Sequence, residues 1–448
     1  MSDIPTPYAQ MPAVWRLSWP IILSNITVPL LGLVDTTVMG HLDDTRYLAA
    51  VTLGATLFSF LLWSFGFLRM GTTGLTSQAF GRDDHQAIRT LLGQSLIIAL
   101  SIGVALVIFA TPLIEAGLWL LKGDAHTQLL ASSYAHIRIL SAPAVLANYA
   151  IIGWFLGQQN SRVTLALMTL TNSVNIIFDL IFVIGLSMTS DGVAWGSVIA
   201  DYTALIAGLF MLTHRLGKLE GHFLLEPLRR LSAYTELFRV NRHLFVRTLC
   251  LLFAMAFFTS QGAQLGNDVL AANAVLMQFV MLVSYGLDGF AHAAEALTGR
   301  AAGRRDWTLF AASVRACAIF SIITACAASL FFALGGDWLV ALLTDIPEIR
   351  AIAARYLAWL TIMPLIAVWS YLLDGVFIGA TATKTMRNTL LLAVACYLPT
   401  WYFTQSLGNH GLWLAFTVFT CVRSLSLGLA YRYRRRHIWC TEQTAHTS

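Results

Sequence analysis

Two carboxylates and an amide stand inside apolar runs of this 448-residue chain, where unpaired charge is costly enough to mark a functional candidate. Asp35 closes the run Pro20-Ile-Ile-Leu-Ser-Asn25-Ile-Thr-Val-Pro29-Leu-Leu-Gly-Leu-Val-Asp35. It lies 19 residues beyond Arg16, about 28 Å of helix, which places it in the outer half of a bilayer. Asn175 and Asp179 are four residues apart and share a helix face, and Asp179 lies 17 residues beyond Arg162, at nearly the depth of Asp35. Two carboxylates in low dielectric repel when both are ionised, so this set suits the uptake and release of a proton. Its oxygens suit Na⁺ equally well.

Other charges fall within apolar runs. Asp201 is a weaker candidate on the sixth run, and Asp288, Glu295 and Asp374 lie in the second half, with Arg69, Arg138 and Arg247 available as partners. Partnered structural charge is the simpler account of most of them, while Asp288 and Asp374 sit near mid-depth and stand as second-half candidates. Pro20 and Pro29 each remove a backbone donor from the helix that carries Asp35 and give it a soft point.

The elements that hold these residues follow from composition. Hydrophobic residues make up 57% of the chain and charged ones 11%, and the mean hydropathy of +0.69 lies outside the range of soluble domains. Apolar segments recur near 14–38, 48–76, 90–114, 131–157, 163–187, 192–214, 242–265, 270–299, 310–335, 352–380, 386–407 and 411–431, which predicts about twelve membrane-spanning helices. Lys and Arg concentrate in alternate connections, so both termini are expected on the cytoplasmic side. The expected organisation is a first bundle over 1–214, a cytoplasmic connection over 215–241, a second bundle over 242–431 and a basic tail over 432–448.

The halves repeat at a shift of 222 residues. Gly40 matches Gly262, Gly81-Arg82 matches Gly303-Arg304, Asp84 matches Asp306, and Tyr149, Gly153 and Gly157 match Tyr371, Gly375 and Gly379. Copies with an even number of spans share one orientation and are related by an axis along the membrane normal, a plan suited to alternating access.

Other chemistries find little support. The six cysteines are scattered and read as reduced packing residues, and no metal, cofactor or nucleic acid is expected. Gly71-Thr-Thr-Gly74 lacks the Lys-Ser/Thr of a phosphate loop, and no nucleophile stands with a base, so enzymatic activity is not expected. The first twelve residues lack a basic n-region, so no cleaved signal peptide is expected.

The first span from Pro20 through Asp35 to Gly40, Met70-Gly-Thr-Thr-Gly-Leu-Thr-Ser-Gln78 with Gly81, Arg138 with Pro143 and Gly153-x-x-x-Gly157, Asn175-x-x-x-Asp179 and Gly408-Asn-His-Gly-Leu-Trp-Leu-Ala-Phe416 together resemble the multidrug and toxic compound extrusion (MATE) family, DinF-like branch. The resemblance implies an all-α, inverted-V exporter of two six-helix bundles in the bacterial inner membrane. It would expel cationic or amphipathic compounds, as a monomer, against H⁺ or Na⁺, with H⁺ favoured. It also implies that Asp35 is the main proton-linked acid, Asn175 and Asp179 its partners, and Pro20 the bending point. Either Ser197 or Asp201 would be the sixth-span member of the network. A lipid-linked precursor flippase is the rival reading, but most Arg residues lie in loops instead of spans. The shift of 222 carries Asp35 onto Phe257 and Asp179 onto Trp401, so the first copy is expected to read the ion.

Overall fold

The computed structural model describes residues 6–40, 45–121 and 125–435, with the side chains of 28–40, 45, 46, 48, 121 and 125 left outside the description. Asp35, Pro29 and Gly40 fall in that excluded set, so only their helical backbone is placed. Among the described residues the chain is helical and forms no strand. In order, the helices are α1 (Pro7–Gly40), α2 (Thr45–Trp63), α3 (Phe67–Gly81), α4 (His85–Ile108), α5 (Ala110–Leu121), α6 (Ala125–Arg138), α7 (Ala142–Gly157) and α8 (Ser161–Asp179). There follow α9 (Ser190–Leu216), α10 (Leu225–Arg229), α11 (Thr235–Gln264), α12 (Asn267–Gly303), α13 (Trp307–Leu343), α14 (Pro347–Gly379), α15 (Thr383–Thr404) and α16 (Asn409–Arg434). Ten helical stretches among the described residues are long and apolar enough to cross a bilayer. With α1 and α15, of 34 and 22 residues, they make up the all-α architecture of about twelve spans.

Several spans are broken where the sequence interrupts the hydrogen-bond ladder. Pro143, in the first turn of α7, has no N–H to offer Ile139, and the chain tightens to a 3₁₀ turn over Ile139–Ser141. After Asp179 the helix widens instead, to a π segment over Leu180–Gly185.

The chain divides into two compact units, Leu23–Phe238 and Met1–Ile22 together with Arg239–Ser448. Helix α1 belongs to the second-half unit up to Ile22 and to the first-half unit from Leu23. In the first-half unit, Ile88, Leu92, Trp154, Phe155, Leu167 and Leu212 form a core, and the Trp154 indole donates to the Ile88 carbonyl at 2.8 Å. In the second-half unit, Phe258, Phe279, Tyr397, Trp413, Phe416 and Phe419 form a larger aromatic core. Val14 and Leu17 of α1 pack in that unit against Phe290, Leu297 and Val376.

The repeat read from the sequence is written into the backbone of both units. A side chain at Gly153 would meet the carbonyl of Arg69, and one at Gly375 would meet that of Ala291, 222 residues further on. Lipid supplies no hydrophobic drive between helices, so such close approach through small residues holds α3 to α7 and α12 to α14. Left-handed backbone recurs at Asp83 and Arg305 (φ 56° and 54°) and at Gln159 and Thr381 (63° and 52°). Asp84 caps α4 through the Ala87 N–H, and Asp306 caps α13 through that of Leu309, both at 2.9 Å.

The polar connection after α9 is tied to α4. Arg89 donates to the carbonyls of Leu216 and Leu219 at 2.7 Å each and to that of Glu220 at 3.1 Å. Gln94 reaches the Ala233 carbonyl at 3.1 Å, and Tyr234 donates to that of Leu228 at 2.8 Å.

Candidate functional site

Helix α8 buries Asn172, Asn175 and Asp179, spaced three and four residues apart on one face. Asp179 is fully buried. With its carboxamide oriented to satisfy both ends, Asn175 donates to Asp179 Oδ2 at 3.3 Å. Its oxygen accepts from the backbone N–H and the hydroxyl of Ser197, each at 3.0 Å. The amide thus bridges α8 and α9. Asp179 is also the last residue before the π segment, a widening that recurs at functional sites.

Gly196 makes the room for this carboxylate, because a Cβ built there would fall on Asp179 Oδ1. One turn before Asn175, the Asn172 amide donates to Thr27 Oγ1 of α1 at 2.6 Å, and Thr27 donates in turn to the Ser24 carbonyl at 2.6 Å. The side chain of Asp35, eight residues beyond Thr27, lies outside the described residues.

Asp201 and Ser197, left as alternatives by the sequence, have different partners. Ser197 is bonded to Asn175, whereas Asp201 pairs with Arg138 at 2.5 Å. Arg138 also donates to Ser141 Oγ and lies 4.3 Å over the Phe58 ring. The Asp201 carbonyl accepts from Asn148 Nδ2 at 3.2 Å.

The second-half acids lie in a separate cluster. The Asp374 carboxylate is gripped by both Arg247 of α11 and Arg423 of α16. Arg423 lies 5.7 Å over the Tyr371 ring, and the Tyr371 hydroxyl shares a hydrogen bond of 2.5 Å with Ser284. Asp288 is within electrostatic reach of Tyr371 and Arg423, and Glu295 is buried in α12. Pro20 is buried within continuous helix α1.

Sequence reasoning missed Asn172, Thr27, Gly196 and Arg423. Gly192-x-x-x-Gly196 was a visible sign of close approach on α9. An amide and a hydroxyl 145 residues apart carry no mutual sign in one sequence. No group of His, Cys, Asp and Glu suited to a metal ion occurs among the described residues.

Comparison with known proteins matches this architecture. The MatE family model fits the chain twice, over residues 20–181 and 244–403. The DNA damage-inducible protein F of Escherichia coli K12 is 43% identical over 427 residues, 95% of this chain and 93% of that protein. The multidrug export protein MepA of Staphylococcus aureus RF122/ET3-1 is 21% identical over 278 residues, 61% of each chain. A solved transporter of the MOP superfamily from Pyrococcus furiosus shares the fold with a TM-score of 0.86 at 20% identity, covering 97% of this chain and 98% of that one. Two copies of one family model on a duplicated helical scaffold settle the assignment: the chain belongs to the MatE family of multi-pass membrane transporters.

Proposed function

We propose that this chain exports cationic or amphipathic organic compounds across the bacterial inner membrane in exchange for protons, with both termini cytoplasmic. Its family membership and a relative named as a multidrug export protein support the substrate class. The Lys- and Arg-rich alternate connections support the orientation.

The observation that carries the coupling is the Asn175, Asp179 and Ser197 network together with its counterpart in the second copy. At a shift of 222, Asp35, Asn175 and Ser197 become Phe257, Tyr397 and Phe419. Tyr397 packs edge-on to Phe257 with centroids 5.2 Å apart and against Phe419 at 5.5 Å. The contact between those positions in one copy supports a place for Asp35 beside Asn175 in the other. The bond from Asn172 to Thr27 supports the same register: Asp35 lies eight residues past Thr27 and Asp179 seven past Asn172, about 12 and 10.5 Å of helix.

In this mechanism a proton from outside neutralises Asp35. The Asn175 amide then redistributes its bonds toward Asp179, and α1 bends near Pro20, which gives no N–H to the Arg16 carbonyl. Loss of the proton to the cytoplasm resets the helix. Asp201 is ion-paired with Arg138 and Asp374 with Arg247 and Arg423, and we assign both a structural part instead of the coupling.

Efflux from proteoliposomes with independently imposed pH and Na⁺ gradients tests this reading. Export is expected to follow the pH gradient alone, and Asp35→Asn is expected to abolish it while leaving elution and melting unchanged. Export driven by Na⁺ alone, or wild-type exchange by Asp35→Asn, would overturn proton coupling.

A further inference from the structure

Where α7 ends, α8 begins and α9 ends, the first-half unit carries an apolar groove of about 430 Å³ with a basic end. Phe155, Val163, Phe210 and Met211 form its walls. Phe210 is 75% exposed, so the lip opens outward from the unit. Three basic side chains within five residues, His214, Arg215 and Lys218, line the other end. No carboxylate lines the groove among the described residues.

Two further features sharpen the basic end. The Arg215 Nε donates to Gln158 Oε1 at 2.9 Å, which fixes the guanidinium, and its two terminal nitrogens have no hydrogen bond among the described residues. Asn160, also in the lining, precedes α8 without a side-chain cap bond, so the first-turn amides of α8 add partial positive charge there. An apolar channel that opens outward and ends in fixed positive charge matches the two parts of a lipid with an anionic head group.

We propose that this groove binds one anionic phospholipid of the surrounding leaflet. An acyl chain lies along Phe155, Val163, Phe210 and Met211, and the phosphate sits between Arg215, Lys218 and the start of α8. A zwitterionic lipid brings its own cation to this end and is disfavoured. A second groove of about 390 Å³, lined by Val107, Leu140, Pro143, Trp195 and Tyr202 among others, has no basic residue and serves as an internal contrast. It holds acyl chains without selecting a head group.

The test uses the full-length protein in detergent, with retention of phosphatidylglycerol and phosphatidylcholine followed by native mass spectrometry and by thermal shift. Wild type is expected to retain phosphatidylglycerol preferentially. Each basic group near an anionic head group contributes about five-fold, so Arg215→Ala with Lys218→Ala is expected to weaken phosphatidylglycerol binding about 30-fold and leave phosphatidylcholine unchanged. Arg229→Ala with Arg230→Ala, the same loss of charge on the exposed connection, is expected to change neither by more than about two-fold. Val163→Trp fills the groove without touching its charges and is expected to displace phosphatidylglycerol, which keeps the test decisive if the double variant fails to fold. The proposal is overturned if the Arg215/Lys218 variant or Val163→Trp, once folded, keeps wild-type preference, or if the Arg229/Arg230 variant loses as much. Equal stabilisation by glycerol phosphate alone overturns it too, because the site would then read a free anion and not a lipid.

Discussion

Replacing Gly196 by alanine tests the candidate site without altering an ionisable group. On helix propensity alone the change stabilises α9 by about 0.8–1 kcal/mol. The new methyl, however, falls on Asp179 Oδ1, with the Asp179 amide nitrogen 3.3 Å away, so carboxylate or helix must shift. Overpacking of this kind costs about 1–3 kcal/mol. Turning the carboxylate out of reach of Asn175, now 3.3 Å away, removes one of its hydrogen bonds at about 1–3 kcal/mol more. The net loss is about 1–5 kcal/mol, and because it falls on the coupling network, transport is expected to drop at least about five-fold. Gly208→Ala on the same helix is the control. Its methyl comes within 3.2 Å of the terminal methyl of Ile151, a side-chain end that can rotate away, and otherwise makes ordinary contacts with Ile151 Cγ2 at 3.5 Å and Asn148 Oδ1 at 3.7 Å. That variant is expected to transport within about two-fold of wild type and to lose less than about 1 kcal/mol. Proton-driven efflux in proteoliposomes, measured beside the thermal midpoint, separates the two variants. Wild-type efflux and midpoint in Gly196→Ala would refute the reasoning, since the carboxylate would then have no need of the space that glycine leaves.

Two further variants probe the scaffold. Arg89→Ala removes three bonds to the carbonyls of Leu216, Leu219 and Glu220, each to a charged donor and worth about 1.5–3 kcal/mol. Amide exchange over residues 217–234 is expected to rise at least about 100-fold while the α7 core stays protected, and unchanged exchange there would count against the strap. Tyr397→Phe is expected to be neutral or stabilising by about 1 kcal/mol, because the Tyr397 hydroxyl is fully buried with no hydrogen-bond partner among the described residues. A fall in melting midpoint of several degrees would show that the hydroxyl has a partner.

Elements governed by local composition were legible in the sequence. Apolar runs gave the spans, and the shift of 222 gave the duplication, because Gly153 and Gly375 each admit a backbone carbonyl that any side chain would exclude. The shared face of Asn175 and Asp179 followed from helical spacing. Helix interruptions were less visible. The apolar segment read as 163–187 contains the π widening of Leu180–Gly185, and apolar content has no signature for a change of ladder. Pairings between distant spans were not legible at all. Arg247, Asp374 and Arg423 come from three helices, and only packing decides that two guanidinium groups share one carboxylate.

The duplicated scaffold explains why the acids of the two halves differ in kind. The last span of each copy carries a buried charge at the same place, but its sign is reversed, with Asp201 in one and Arg423 in the other. Each is paired, Asp201 with Arg138 of α6 and Arg423 with Asp374 of α14. Yet the partners do not correspond, since Arg138 maps onto Leu360 and Asp374 back onto Ile152. Burial therefore demands that this charge be neutralised and leaves its sign free. The network that starts one turn earlier on that span differs in another way: Ser197 and its α8 partner Asn175 correspond to Phe419 and Tyr397, which pack as aromatic core. Aromatic side chains fill these positions in the second copy, so packing alone does not call for polar ones there. The first copy instead holds a polar cluster around a fully buried Asp179 and a glycine that yields it space, which supports the proposal that ion coupling belongs to that copy.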